Sequence, residues 1–115
     1  MNGIMSGNLS FLEKFTEGDS LKMKKYIALY LKTAPILFES LERSILDQDW
    51  GKVSRDAHSL KPQVMYMGLD NLSKLLLEIE LKAKAQDTLL LKELFEKALD
   101  LHRQSTPSLQ AYLKT

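Results

Sequence analysis

The sequence lacks cysteine, a long apolar run and a large net charge. The absence of cysteine excludes disulfide bonds, thiolate catalysis and zinc sites built on sulfur. Sixteen basic residues nearly balance fifteen acidic ones, and a net charge of +1 provides no general attraction to nucleic acid or to an anionic membrane. No apolar run approaches the roughly 18 residues of a membrane-spanning helix. The first residues also lack the basic patch and apolar core of a secretory signal, so we expect a cytoplasmic protein.

Strand signals are missing as well. No segment alternates apolar and polar residues, and no Asn-Gly or Asp-Gly hairpin turn is present. Apolar residues instead recur every three or four positions, which is typical of amphipathic helices. Because the intervening loops are short, consecutive helices should pack antiparallel. We therefore predict an all-α, up-down antiparallel four-helix bundle with a short additional N-terminal helix.

The length of 115 residues fits one domain. We predict a flexible N-terminal lead-in over residues 1–7 and a helical bundle over residues 8–115. Capping residues mark most of the predicted helix starts. These starts are Asn8 for the short helix, Asp19 or Ser20 for the second, Asp49 for the third, Asp70 or Asn71 for the fourth, and Leu89, after a turn, for the fifth.

Two prolines interrupt helical patterns outside the central segment. The apolar periodicity resumes in phase after Pro35, which predicts one kinked second helix rather than two helices. Pro107 is predicted to kink or end the fifth helix. A final turn or two would then follow near the end of the sequence.

The segment from Ser54 to Gly68 has two helical faces. At about 100° per residue, His58 lies roughly 140° from the centre of an apolar stripe. Lys61 and Met65 follow one and two turns further along on the same side. The sequence thus predicts an imidazole that faces solvent, with an ammonium group one turn away. The apolar stripe consists of Val53, Ala57, Leu60, Val64 and Met67.

The run Ala57-His58-x-Leu60-Lys61, followed by an apolar stretch and Gly68, resembles the signature of histidine-containing phosphotransfer (Hpt) domains. The resemblance implies that His58 carries a phosphoryl group between aspartates of receiver domains in a phosphorelay. It implies that Lys61 lies beside the phosphoryl group and that Gly68 closes the helix region. Response-regulator receiver domains, a hybrid histidine kinase, or both are then the expected partners.

An exposed imidazole suits this chemistry. Its unperturbed pKa of about 6.5 leaves much of it unprotonated, and therefore nucleophilic, near neutral pH. A phosphoryl group in transit is anionic, so positioning and positive charge carry most of the catalysis, and Lys61 can reach its oxygens. No cluster of carboxylates surrounds His58 in the sequence. We therefore expect a phosphotransfer intermediate without cofactor and without an autonomous active site, with the aspartate and Mg²⁺ supplied by the receiver.

Pro62 and Gln63 depart from the commonest pattern of the family, which has glycine and a small residue after the lysine. Pro62 removes the helical partner of the His58 carbonyl. The resulting kink either bows the histidine turn outward or has little functional consequence. Gln63 either hydrogen-bonds the phosphoryl group or covers a neighbouring helix.

Apolar residues near His58 predict a docking surface. Met65 lies on the same side of the helix as His58, and Tyr66 lies close to the outer face. A free-standing bundle has no need of an apolar side chain at the position of Met65. We expect Met65, Ser54 and parts of the second helix to contact a receiver domain. The alternative is that these are ordinary scattered surface residues.

The other candidates point to no further chemistry. His102 is predicted to be a solvated residue of the fifth helix, and two distant histidines form no metal site. We expect a monomer that binds neither nucleic acid nor membrane. The alternative function is a non-phosphorylated helical-bundle adaptor that binds a signalling partner through the same face.

Overall fold

The described part of the chain, residues 9–115 of a computed structural model, contains five helices and no strand. The predicted lead-in 1–7 and the predicted cap Asn8 lie outside these residues. The helices are α1 (Ser10–Phe15), α2 (Ser20–Leu46), α3 (Trp50–Tyr66), α4 (Asp70–Lys84) and α5 (Leu91–Leu113).

The four long helices form a closed ring around one core. α3 packs against α2 and α4, and α5 packs against α4 and α2. Each long helix contributes an apolar stripe to this core, and α1 contributes the fully buried side chain of Leu12. The predicted all-α bundle with a short N-terminal helix is therefore confirmed. No helix in residues 9–115 combines the length and the apolar character needed to cross a membrane.

Aspartate side chains cap the starts of α2 and α3. The Asp19 carboxylate accepts a hydrogen bond from the backbone N–H of Lys22 at 3.1 Å. The Asp49 carboxylate accepts one from the N–H of Lys52 at 3.2 Å. Each cap satisfies a donor that has no partner within the helix. The prediction for Asp49 is confirmed, and Asp19 rather than Ser20 caps α2.

The internal prolines do not end their helices. Pro35 lies inside a continuous α2, as the in-phase periodicity predicts. α5 also continues past Pro107, so of the two predicted alternatives, a kink or an end at this proline, the structure excludes the end. α5 begins at Leu91 rather than Leu89, because the turn after α4 takes up two more residues.

Each of the helices α1 to α4 is followed, two positions after its last residue, by a residue with left-handed backbone. Gly68 follows α3 with φ +71°, and its N–H bonds the Met65 carbonyl oxygen at 2.9 Å. The next N–H, of Leu69, bonds the carbonyl oxygen of Val64 at 3.1 Å. Glycine has no Cβ penalty in this conformation, which accounts for its place at the end of α3. The corresponding residues after α1, α2 and α4 are Glu17, Gln48 and Gln86, with φ of 57°, 56° and 56°.

His102 is buried, which corrects the expectation that it is solvated. Its Nδ1 lies 3.1 Å from the hydroxyl of Tyr30, and its ring stacks on Phe38 with centroids 4.6 Å apart. The residue continues the inner stripe of α5 one turn beyond Ala98. Burial, and after it the positive charge of Arg103, lower the pKa of His102 below its ordinary value of 6.5.

Candidate functional site

His58 lies on the outer face of α3 with 67% of its side chain exposed. The opposite face of the helix carries the predicted apolar stripe, and that stripe is buried. Helical phase therefore determines that the imidazole is open to an incoming protein. The buried stripe consists of Val53, Ala57, Leu60, Val64 and Met67.

A carboxylate from α4 meets the imidazole. Oε2 of Glu80 lies 2.9 Å from Nδ1 of His58, and only 5% of the Glu80 side chain is exposed. Nζ of Lys61 lies 3.4 Å from Oε1 of the same carboxylate, and Nζ of Lys84 lies 3.3 Å from Oε2. The structure thus joins the predicted pair His58 and Lys61 through a third residue, Glu80.

The surroundings of Glu80 keep its carboxyl group ionised. Burial alone raises the pKa of Glu80, but hydrogen bonds from Lys84 and His58 and the attraction of Lys61 outweigh it. The net result is a pKa below the ordinary value of 4.5. Near neutral pH the group is therefore a carboxylate, which only accepts hydrogen bonds.

The ionised carboxylate determines the tautomer of His58. Because Glu80 Oε2 accepts, Nδ1 of the imidazole carries the proton and donates it. In the neutral ring, Nε2 then holds the free lone pair. The arrangement gives an exposed nitrogen nucleophile on a ring whose opposite nitrogen is held by a buried anion.

A shallow cleft between α3 and α4 adjoins the ring. Ser54 lines it and is itself buried, contrary to the expectation that it forms part of an exposed docking surface. Its position on α3 turns it towards α4, so at most it contributes to the floor of the cleft. The cleft is lined by Ser54, Arg55, His58, Ser59, Glu80 and Lys84.

Gln63 lies on the other side of α3, against α2. Its Oε1 is 3.2 Å from Oγ1 of Thr33, and its Nε2 donates to the Ser59 carbonyl oxygen at 3.5 Å. The side chain therefore covers the neighbouring helix, which is the second of the two alternatives for this residue. These contacts point away from Glu80 and give no support to a phosphate contact by Gln63.

The remaining motif residues divide between core and surface. Ala57 and Leu60 are fully buried, and Gly68 is buried at the end of α3. Pro62 is exposed within a continuous α3, one turn beyond His58. Met65 is half-exposed on the outer face, where the docking prediction requires it.

A polar network fixes α3 against α2 behind the site. Oδ2 of Asp56 lies 3.0 Å from Ser40 Oγ, 2.6 Å from Ser44 Oγ and 3.0 Å from Lys52 Nζ. Burial raises the pKa of Asp56, but the hydrogen bonds from Ser44, Lys52 and Ser40 outweigh it and lower the pKa below its ordinary value. The network fixes the rotation of α3 about its own axis, and this rotation directs His58 outward.

Sequence reasoning missed Glu80 and Lys84. The signal that marks Glu80 is a carboxylate on an apolar stripe, since Leu76, Ile79 and Ala83 surround it at helical spacing and are buried. A charged residue at such a position is rarely buried without a partner. Lys84 follows Glu80 by one turn and supplies part of that partnership.

Comparison with known proteins gives one match. The family model of the Hpt domain matches residues 25–113, which include α3, α4, α5 and most of α2. Searches among curated proteins and among solved structures found no significant match. Within residues 9–115, no group of three or more histidine, cysteine or acidic side chains is placed to hold a metal ion.

Proposed function

Since the chain belongs to the Hpt domain family, whose members carry phosphoryl groups on a histidine in phosphorelays, we propose that Nε2 of His58 is the phosphoryl acceptor. Hpt domains exchange the group with receiver domains and histidine kinases and have no active site of their own. The observation that carries the assignment is the 2.9 Å contact between His58 Nδ1 and Glu80 beneath an exposed ring. It leaves Nε2 as the free nucleophile.

The proposed transfer is a substitution at phosphorus. The lone pair of His58 Nε2 forms a bond to the phosphorus of a receiver's aspartyl phosphate, the bond from phosphorus to the aspartyl oxygen breaks, and the carboxylate leaves. The ring gains positive charge as the P–N bond forms. The Glu80 carboxylate lies against Nδ1 and stabilises that charge. In the second transfer, the carboxylate of another receiver attacks phosphorus and Nε2 leaves.

Two lysines lie where they can contact the phosphoryl oxygens. Lys61 and Lys84 both contact Glu80, at 3.4 and 3.3 Å, and so lie close to the ring that would carry the group. Each has a flexible stem that allows its ammonium group to move from Glu80 to an oxygen of the phosphoryl group. We assign Lys61 the main role because it is one turn from His58 on the same helix.

The metal and the aspartate belong, in this proposal, to the receiver. The carboxylate that touches His58 is occupied by three donors, from His58, Lys61 and Lys84, and so is not placed as a metal ligand. The full set of reacting groups, with the aspartate and Mg²⁺ of the receiver, is therefore complete only when the two proteins bind each other. The chain itself contributes the nucleophile, its orientation and the positive charge.

Phosphotransfer profiling tests the proposal. Purified receiver domains from the same genome are phosphorylated with labelled acetyl phosphate and mixed with the wild type and with His58→Gln. We expect rapid labelling of the wild type by at least one receiver, no labelling of His58→Gln, and loss of the label in acid. No transfer from any receiver, together with stable binding to one of them, would instead support the adaptor function.

A further inference from the structure

A second cleft lies between α2 and α5, and we call it the α2–α5 cleft. All the residues that line it belong to these two helices, so it is separate from His58 on α3. Its volume is about 240 Å³. Pockets for drug-sized ligands usually measure roughly 300–1,000 Å³, so this cleft suits a smaller molecule.

The floor of the α2–α5 cleft is largely apolar. Phe38 from α2 and Phe95 from α5 are buried there, with ring centroids 6.4 Å apart. Leu99 lies one turn beyond Phe95 and is partly buried. Small-molecule sites typically combine such an apolar lining with a few polar groups that orient the ligand. The floor therefore offers burial to the apolar part of a ligand.

The floor also carries one hydrogen-bond donor, Nε2 of His102. Burial raises the pKa of Tyr30 far above its ordinary value, so the Tyr30 hydroxyl keeps its proton. Within residues 9–115, the only acceptor that this hydroxyl meets is Nδ1 of His102, at 3.1 Å. The hydroxyl therefore donates to Nδ1, and the neutral ring carries its own proton on Nε2.

The Nε2–H group of His102 has no acceptor among residues 9–115, although only 6% of the residue is exposed. In the same part of the chain, no side-chain nitrogen or oxygen is both fully buried and without a partner. Nε2 therefore reaches the cleft that the ring lines. An acceptor atom of a bound molecule would satisfy this N–H group, which otherwise depends on water.

The rim of the cleft has carboxylates on one side and a guanidinium group on the other. Glu39 and Glu42 lie one turn apart on α2, and Arg103 follows His102 on α5. None of the three charged side chains has an ion-pair partner in the described part of the chain. Acceptors thus stand on the α2 side and donors on the α5 side, without satisfying one another.

We propose that the α2–α5 cleft binds a small zwitterion with an apolar side chain, the chemistry of an apolar amino acid. Its ammonium group would face the carboxylates of Glu39 and Glu42. Its carboxylate would accept hydrogen bonds from Arg103 and from Nε2–H of His102, and its side chain would lie on the apolar floor. Charge-assisted hydrogen bonds of this kind are the strong ones, and both signs of charge on the rim are then matched.

NMR titration of the ¹⁵N-labelled chain with three probes tests the proposal. The probes are L-leucine, 3-methylbutylamine, which is leucine without its carboxylate, and 4-methylpentanoate, which is leucine without its ammonium group. The ¹⁵N shift of His102 Nε2 reports binding. Glu39→Gln/Glu42→Gln is compared with Glu13→Gln/Glu78→Gln, which changes the charge equally at exposed positions outside the cleft. Circular dichroism verifies the helix content of each variant.

We expect L-leucine to shift the His102 signal saturably, with a dissociation constant of about 1 mM or below. Each truncated probe should bind about tenfold or more weakly, and so should L-leucine to Glu39→Gln/Glu42→Gln. Arg103→Gln should weaken L-leucine but not 3-methylbutylamine. The control variant and His58→Gln should bind L-leucine as the wild type does.

The proposal is overturned if L-leucine gives no saturable shift at His102. It is also overturned if either truncated probe binds as tightly as L-leucine, or if Glu39→Gln/Glu42→Gln retains the wild-type affinity. Because none of these measurements involves a receiver domain, a failure of phosphotransfer to His58 would leave the assignment of the cleft standing.

Discussion

Nδ1 of His58 and Oε2 of Glu80 are 2.9 Å apart, although 22 residues separate them in the chain. The contact joins the middle of α3 to α4 and couples an exposed ring to a nearly buried carboxylate. Because an ionised carboxylate only accepts, it selects the imidazole tautomer with a free Nε2. In the proposed transfer, Glu80 therefore positions the nucleophile without touching the phosphoryl group.

Glu80→Gln should slow phosphotransfer to His58 by about tenfold to a hundredfold. The amide has no charge to stabilise the ring as the P–N bond forms, and its NH₂ group can donate to Nδ1 and favour the other tautomer. The ¹⁵N shifts of the His58 ring should therefore show a larger fraction with the proton on Nε2. Glu78→Gln, an exposed change on the same helix, is the control and should alter neither quantity. An unchanged tautomer in Glu80→Gln would contradict the positioning role.

Lys61→Met should lower the transfer rate by about tenfold or more, because positive charge near the phosphoryl oxygens is lost while the apolar stem is kept. Lys82→Met provides the comparison, since Lys82 pairs with Asp87 at 3.3 Å rather than with Glu80. Stopped-flow transfer from one phosphorylated receiver gives both rates. Equal rates for the two variants would remove Lys61 from the site.

The stability of the bundle should fall in acid through two carboxyl groups. The pKa values of Glu80 and Asp56 are lower in the folded protein than their ordinary values of 4.5 and 3.8. The stabilisation is therefore complete above those ordinary values and is lost as the pH falls through the lower folded values. Urea unfolding at a series of pH values should show this decline, and Asp56→Asn should reduce its slope. A wild-type slope that Asp56→Asn leaves unaltered would argue against the contribution of the Asp56 network.

His102 should cause a separate loss of stability on acidification, at a higher pH than the loss caused by the two carboxyl groups. The folded protein lowers the pKa of His102, so the unfolded chain takes up the proton first as the pH falls below about 6.5. The free energy of unfolding should decrease from that pH downwards until the folded pKa is passed. His102→Gln should abolish this part of the profile, whereas His58→Gln should retain it. If both variants keep the same pH profile of stability, the assignment of this loss to His102 is wrong.

Gln86→Gly should stabilise the protein by about 0.5–1 kcal/mol, because glycine adopts a positive φ without the Cβ penalty. Gln86 has φ 56° after α4, in the same position that Gly68 takes after α3 with φ 71°. The reverse change, Gly68→Ala, should destabilise by roughly 1 kcal/mol or more. Thermal unfolding of the two variants gives both signs, and a lower melting temperature for Gln86→Gly would contradict the argument.

Much of the fold could be predicted because helical periodicity is a local signal. The three-and-four spacing of apolar residues identified the long helices, and the phase of α3 gave both its buried stripe and the exposed position of His58. The same signal failed at His102, where a polar residue continues an apolar stripe and finds its partners on another helix. Periodicity alone does not reveal whether such a residue has a partner.

The sequence by itself determined an all-helical bundle, the side of α3 that faces solvent, and the motif around His58, since all three depend on residues within a few helical turns of one another. Only the tertiary structure decided what touches the imidazole. Glu80 reaches His58 from α4, Lys84 pairs with Glu80, Ser54 turns into the cleft beneath the ring, and the rings of α1 stack on Tyr66. The physical reason is that the rotation and axial position of each helix against its neighbours are set by packing across the whole core, and no local stretch of sequence specifies them.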